Sequence, residues 1–239
     1  MPVEKKSKRQ ERREKMQQQQ KRSRMVTLAL IVLGSALVVL AFVYPQFKSV
    51  GDIIVPEPRT DLLNPDGLSL GDPNAPAVID VFEDFQCSHC KTFSENIEPL
   101  IIEYLVKTGK ARLVYHNYPF LDGDGVSNGG GSDQAANATM CANEQGKFWE
   151  MKDIIYANAS SGLPDNRRLT AMAEAIDLDM NTFNACFNAN KYQAEIQADY
   201  DYGQELGVSG TPSAFVNKAK VENPVFQDIA VAVDAIAGQ

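Results

Sequence analysis

Hydrophobic positions recur with different periods along the chain, and each period predicts a different kind of element. Met25–Val43 is a run of nineteen residues without a charge. As a helix rising about 1.5 Å per residue it spans roughly 28 Å, close to the thickness of bilayer hydrocarbon. The run is longer than the roughly 7–15 apolar residues of a cleaved signal peptide, and no small-x-small cleavage site follows it. One uncleaved crossing is therefore predicted. From Tyr44 to Leu70 the apolar residues lose all period and Pro45, Pro56, Pro58 and Pro65 interrupt them, which predicts an extended linker. The turn cluster Gly71-Asp-Pro-Asn-Ala-Pro76 closes that stretch. Ala77–Phe85 then mixes β-branched and aromatic residues, as a buried central strand does. Between Lys91 and Lys107 the apolar positions Phe93, Ile97, Leu100, Ile101 and Tyr104 fall three and four apart, predicting an amphipathic helix that kinks near Pro99 and stops at Gly109. Ala111–Phe120 reads as a second strand, parallel to the first because a helical crossover joins them.

Leu121–Ser132 holds Gly123, Gly125, Gly129, Gly130 and Gly131 and predicts a loop. No Lys-Ser/Thr pair follows it, so it is not read as a phosphate cradle. Helical periods then fill Ala135–Asn143, Lys147–Asn158, Arg167–Ile176 and Asn181–Leu206, with breaks at Leu163-Pro164 and Asp177–Asn181. Trp149 is expected in the core. Ser213–Asn217 predicts a strand, Val221 the far arm of a hairpin, and Phe226–Ala237 a closing helix.

Charge sharpens this division. Residues 1–24 carry ten Lys and Arg against Glu4, Glu11 and Glu14, while the whole chain of 239 residues has a formal net charge of −8. The rest of the chain is thus strongly acidic, which argues against a nucleic-acid-binding body. The basic tail reads as a solvated, partly helical segment, and Lys and Arg next to a span stay cytoplasmic. Five segments follow: a cytoplasmic tail at 1–24, a transmembrane anchor at 25–43, an extracytoplasmic linker at 44–70, an α/β domain at 71–120 and 207–239, and a helical insertion at 121–206.

The candidate chemistry lies at the junction of the first strand and first helix of that domain, in Cys87-Ser88-His89-Cys90. Two cysteines three apart at a helix start have Cα atoms roughly 5–6 Å apart, within disulfide range. Cys87 at the helix N-terminus is expected to be the exposed, low-pKa nucleophile, because the dipole and unpaired N–H groups stabilise its thiolate. Cys90, one turn inside, is expected to be the buried resolving thiol, and His89 to supply positive charge or a hydrogen bond to Cys87. A static disulfide or half a zinc site competes with this reading, but His116, Cys141 and Cys186 are scattered along the chain, and neither metal nor cofactor is expected. His116 is assigned a local strand-end hydrogen bond. Gly207-Val-Ser-Gly-Thr211-Pro212-Ser213 places a proline at a strand start, where a cis bond is tolerated.

Taken together, Leu70-Gly-Asp-Pro-Asn-Ala-Pro76, Glu83-Asp-Phe-Gln-Cys-Ser-His-Cys90, Cys141-Ala-Asn-Glu-Gln-Gly-Lys-Phe-Trp149 and Leu206-Gly-Val-Ser-Gly-Thr-Pro-Ser-Ala-Phe-Val-Asn217 resemble the DsbA-like branch of the thioredoxin superfamily, particularly its membrane-anchored forms. The resemblance covers about residues 69–239. It implies a thioredoxin-like fold carrying an all-helical insertion, thiol–disulfide oxidoreductase activity on exported proteins, and a membrane quinone reductase as reoxidising partner. It further implies a cis Pro212 against the redox cysteines, Thr211 offering its backbone to substrate, and a structural disulfide between Cys141 and Cys186, with free buried thiols or a redox relay as the alternatives for that pair. Two positions depart from the pattern: Val81 stands where many relatives keep a buried acid, and Ser88-His89 replaces the Pro-His of the best-known oxidants. Glu83 shares strand parity with Val81 and is a candidate proton relay, beside the plainer expectation of a partly exposed glutamate. The motif leaves open whether the chain is an oxidase, a reductase or isomerase using the same residues, or a tethered binding or metal-delivery module without catalysis.

Overall fold

The computed structural model describes residues 8–47, 50–60, 62–122, 130–159 and 165–237, so most of the glycine-rich loop and the expected break at Leu163-Pro164 lie outside the described residues. The chain divides into two units, 1–49 and 50–239. The described residues of the first form one helix, α1 (Lys8–Phe47). Its segment Lys15–Ala41 is long and apolar enough to cross a membrane. The helix extends past the expected span in both directions, taking in most of the basic tail and the start of the expected linker.

The second unit is built on a five-stranded mixed sheet of order β1-β3-β2-β4-β5. Its strands are β1 (Ser69–Leu70), β2 (Ala77–Glu83), β3 (Ala111–Asn117), β4 (Ser213–Val216) and β5 (Ala219–Val221). β2 and β3 pair in parallel, Ala77 opposite Ala111 through Glu83 opposite Asn117. β4 runs antiparallel to β2, and β5 to β4, across a turn in which Asn217 and Lys218 both have positive φ. That geometry matches the right-handed twist of the strands it joins.

Between β2 and β3 the crossover is α2 (Ser88–Asn96), α3 (Glu98–Ile101) and a π-helical turn at Ile102–Val106. The predicted kink falls at Ile97, just before Pro99, which has no N–H to continue the ladder. After β3 come α4 (Gly131–Asn143), α5 (Phe148–Asn158), α6 (Asn166–Ala175), α7 (Met180–Asn188) and α8 (Gln193–Glu205); α9 (Phe226–Ala237) closes the chain. The single helix expected over Asn181–Leu206 is in fact α7 and α8. Asn190 adopts φ 47°, and the Lys191 and Asn190 N–H groups close back on the Cys186 and Phe187 carbonyls. An Asn in the left-handed region caps a helix as glycine commonly does, a signal the helical period of the surrounding residues concealed.

The two faces of β2 lead into different environments. Ile79 and Val81 enter the main core with Cys90, Phe93 and Trp149, while Phe82 joins Tyr118, Val208 and Phe215 in a smaller cluster. α8 comes very close over that second face: a Cβ on Gly203 would stand 2.6 Å from the Tyr118 ring. Glycine at this position is what lets the helix approach.

The linker expectation is corrected by the packing of the segment from Val50. Ile53, Leu62, Leu63 and Leu68 pack on the core. The Ile54 N–H and carbonyl are both bonded by the Asn158 side chain, at 2.9 and 2.8 Å. Arg168 donates to the Val50 carbonyl at 2.6 Å. Prolines exclude regular structure here without preventing burial, because neighbouring side chains satisfy the backbone polar groups.

Candidate active site

Strand β2 delivers the chain into Asp84–Gln86, and Cys87 is the N-cap of α2, with φ −79° and ψ 118°. Cys87 is half-buried and Cys90 fully buried, and both are free thiols. Opposite them the Thr211–Pro212 peptide is cis at the start of β4. The Cys87 thiol donates to the Thr211 carbonyl at 3.3 Å, and the Asp84 N–H points to the Cys90 sulfur at 3.5 Å. His89, Thr92, Phe93, Pro212 and Val225 line a groove alongside. Ser88 and His89 are exposed at the helix start.

The two sulfurs are driven in opposite directions. Cys87 is lowered from 9.0 to about 5, first by a hydrogen bond from Cys90, against burial, and then by the Thr211 side chain and the backbone N–H groups of Cys90 and His89. The contribution of His89 in this set is its backbone N–H. Cys90 is pushed well above its ordinary value by burial, by its bond to Cys87 and by the nearby Glu83 carboxylate. An anion-stabilised outer sulfur paired with a protonated inner one is the asymmetry that directed thiol–disulfide exchange requires.

Glu83, expected at the surface on the plainer reading, is 1% exposed. It lies on the same face of β2 as Val81, directed at α5. Tyr156 donates to Glu83 Oε2 at 2.7 Å, and Glu83 Oε1 has no hydrogen-bond partner among the described residues. Burial raises Glu83 to about 7, against the attraction of Lys152 and the Tyr156 bond and with the repulsion of Glu98 and Cys87. Lys152, completely buried, donates to Ser94 Oγ at 2.7 Å and Glu98 Oε2 at 2.8 Å, and its ammonium lies 5.3–5.7 Å from the ring centres of Tyr115, Trp149 and Tyr156. Arg59 reaches Glu98 Oε1 at 2.7 Å from the other side.

Sequence reasoning missed Lys152, Glu98 and Tyr156. A signal existed for the lysine: Phe148, Met151, Lys152 and Ile155 occupy positions i, i+3, i+4 and i+7, so a charge falls on the apolar stripe of its helix.

Asp84 was also missed. It is buried, accepts from the Gln86 and Leu121 N–H groups at 2.7 Å and from Ser132 Oγ at 2.6 Å, and so joins the segment before Cys87 to the start of α4. Cys141 and Cys186 form a disulfide between α4 and α7, Cα to Cα 5.8 Å, away from the dithiol. His116 is not held locally. Its Nδ1 meets Asp199 of α8 at 2.9 Å and its Nε2 meets Asp80 of β2 at 3.0 Å.

A family model described as thioredoxin matches residues 63–235. The probable disulfide bond formation proteins D of Bacillus anthracis and Bacillus cereus are 29% and 30% identical over 173 residues, 70% of this chain and 76% of theirs. The crystal structure of oxidised BdbD from Bacillus subtilis superposes with a TM-score of 0.63 at 19% identity, covering 79% of this chain and 100% of that one.

Proposed function

The chain belongs to the thioredoxin family as a DsbA/BdbD-like thiol–disulfide oxidoreductase, and from that premise we propose that it is an extracytoplasmic oxidase that introduces disulfides into exported proteins through Cys87 and Cys90. The observation that carries the direction is the Cys87 thiolate, lowered to about 5. Stabilising that anion stabilises the dithiol form, so the disulfide form is the stronger oxidant.

In the proposed cycle a substrate thiolate attacks Cys87 Sγ of the Cys87–Cys90 disulfide, that bond breaks, and Cys90 leaves with the electron pair. Cys90 is too buried to persist as an anion and takes a proton from Glu83, whose acidity near neutrality suits transfer in either direction. The second substrate thiolate attacks the substrate sulfur of the mixed disulfide. A substrate disulfide forms, and Cys87 departs as its stabilised thiolate. Two electrons pass to the enzyme, and a membrane quinone reductase removes them, with Cys90 returning its proton to Glu83. Thr211 and the cis Pro212 shape the groove in which the substrate strand lies beside Cys87. The Cys141–Cys186 bridge serves structure. The Lys15–Ala41 segment anchors the enzyme with its N-terminus cytoplasmic, an orientation supported by the ten basic residues before Met25.

The test is the reduction potential together with trapping. A potential well above the roughly −270 mV of thioredoxin is expected. Cys87→Ala should abolish oxidation of a reduced, unfolded test protein, and Cys90→Ala should accumulate mixed disulfides with exported proteins. A thioredoxin-like potential, or activity retained in Cys87→Ala, would overturn the reading.

A further inference from the structure

The polar groups behind Cys90 come from five elements and one irregular segment. α2 supplies Cys90 and Ser94, α3 supplies Glu98, α5 supplies Lys152, Asp153 and Tyr156, and β3 supplies Tyr115, all around Glu83 of β2. The irregular segment is the stretch from Val50, which contributes Arg59. Its guanidinium bonds Glu98 at 2.7 Å and lies 3.8 Å from Asp153. An open groove lined by Glu57, Arg59, Ser94, Glu95 and Asp153 brings solvent to this edge of the cluster. The inner group thus holds three carboxyls, Glu83, Glu98 and Asp153, against two cations, Lys152 and Arg59, with Glu57, Glu95 and Glu150 on the outside. Of the three, Glu98 and Asp153 have cations within 4 Å, whereas Glu83 has no direct ionic partner among the described residues and is raised to about 7, against about 6 for Asp153.

We infer that Arg59 is a positioning residue for the dithiol: by holding Glu98 it completes the ion pairing of Lys152 and sets the charge that surrounds Glu83. The inference rests on the Glu83 relay proposed above. It makes the segment that follows the membrane helix in sequence part of the active site's proton control. Without Arg59, the change felt at Glu83 is the loss of a nearby positive charge, so Glu83 keeps its proton to higher pH.

The experiment follows the resolving step in the full chain held in detergent micelles. Reduced enzyme is mixed with oxidised glutathione, and attack of Cys90 on the Cys87–glutathione disulfide is acid-quenched and quantified between pH 5 and 9. Arg59→Gln should move the midpoint of this pH profile alkaline by roughly half to one unit, and Arg59→Lys should return most of it. Glu98→Gln, which removes an anion, should move it the other way. Arg168→Gln loosens the same segment at Val50 without touching the charge cluster and should leave the midpoint in place. Arg59→Met replaces Arg59→Gln if the latter does not fold. A melting temperature that falls in Arg59→Gln with an unmoved midpoint, or an equal shift in Arg168→Gln, overturns the inference. Glu83→Gln separates the two readings: if it abolishes the transition while Arg59→Gln leaves it, only the role of Arg59 falls; if the wild-type transition survives in Glu83→Gln, the relay falls and this inference with it.

Discussion

At Cys87 one sulfur has been made to prefer its anion, and the preference has a consequence for stability that can be read with pH. In the unfolded chain the thiol titrates near 9, in the folded dithiol near 5. Between these values the unfolded state binds the extra proton, so the reduced protein gains stability as pH rises from about 5 to about 9 and loses that gain as pH falls. The disulfide form has no such group. Denaturant melts of reduced and oxidised enzyme should therefore diverge toward alkaline pH, the reduced form gaining; parallel curves would contradict the proposed thiolate. The stabilising contacts are specific to the position. Cys90, three residues on, lies beyond the reach of solvent and next to a carboxyl, and the same chemical group there keeps its proton. Position on one helical turn is enough to drive two thiols in opposite directions.

Element by element, the helices after β3 are fastened to the sheet by a shared core and by specific polar contacts, and α8 shows the latter. Gly203 allows it to come down on Tyr118, and Asp199 reaches across to His116, which stacks on Phe82 with ring centres 4.6 Å apart. Burial disfavours the imidazolium, yet Asp199 and Asp80 on either side overcome it and raise His116 from 6.5 to about 9. A raised histidine contributes stability that is fully present below pH 6.5 and lost as pH rises through about 9. In the oxidised enzyme, where Cys87 does not titrate, this contribution should dominate, so stability should fall across that window. His116→Gln should lower stability by about 3 kcal/mol near pH 6, because it leaves Asp80 and Asp199 facing each other partly buried without their cation. Urea titration of the oxidised protein checks both statements. The Schellman-type turn at Asn190 belongs to the same scale: it re-aims the chain from α7 into α8, so that Asp199 faces the sheet.

For the whole molecule the question is how a redox centre is kept rigid at the boundary of a thioredoxin-like sheet and a block of helices. The Cys141–Cys186 bridge closes a separation of 45 residues within that block. In the chain-entropy model such a link is worth about 4 kcal/mol. The double substitution Cys141→Ser/Cys186→Ser should cost up to that amount in denaturant unfolding while leaving the Cys87 pKa near 5, because none of the groups that set it belongs to the bridge. Loss of the thiolate shift in this variant would show that the helical block positions the active site more tightly than its contacts suggest. Asp84 and the Lys152 cluster are the points where such coupling would pass, since both join the strand before Cys87 to helices of the insertion.

Much of the site was legible along the chain because its signals are local. A strand running into Cys-x-x-Cys, a helix beginning at the first cysteine and a Thr-Pro before a strand each specify geometry over a few residues, and thiolate stabilisation at a helix N-terminus follows from those residues alone. The span of α1, the βαβ crossover and the C-terminal hairpin are likewise consequences of period and punctuation. Only tertiary structure decided what lies behind the cysteines. Whether Glu83 is a surface carboxylate or a buried acid near 7 depends on α5 covering it, more than sixty residues away in sequence. Whether residues 50–70 form a free linker or a packed segment depends on partners such as Asn158, Arg168 and Glu98. Desolvation and buried ion pairing arise from groups brought together across the fold, and no local period records them.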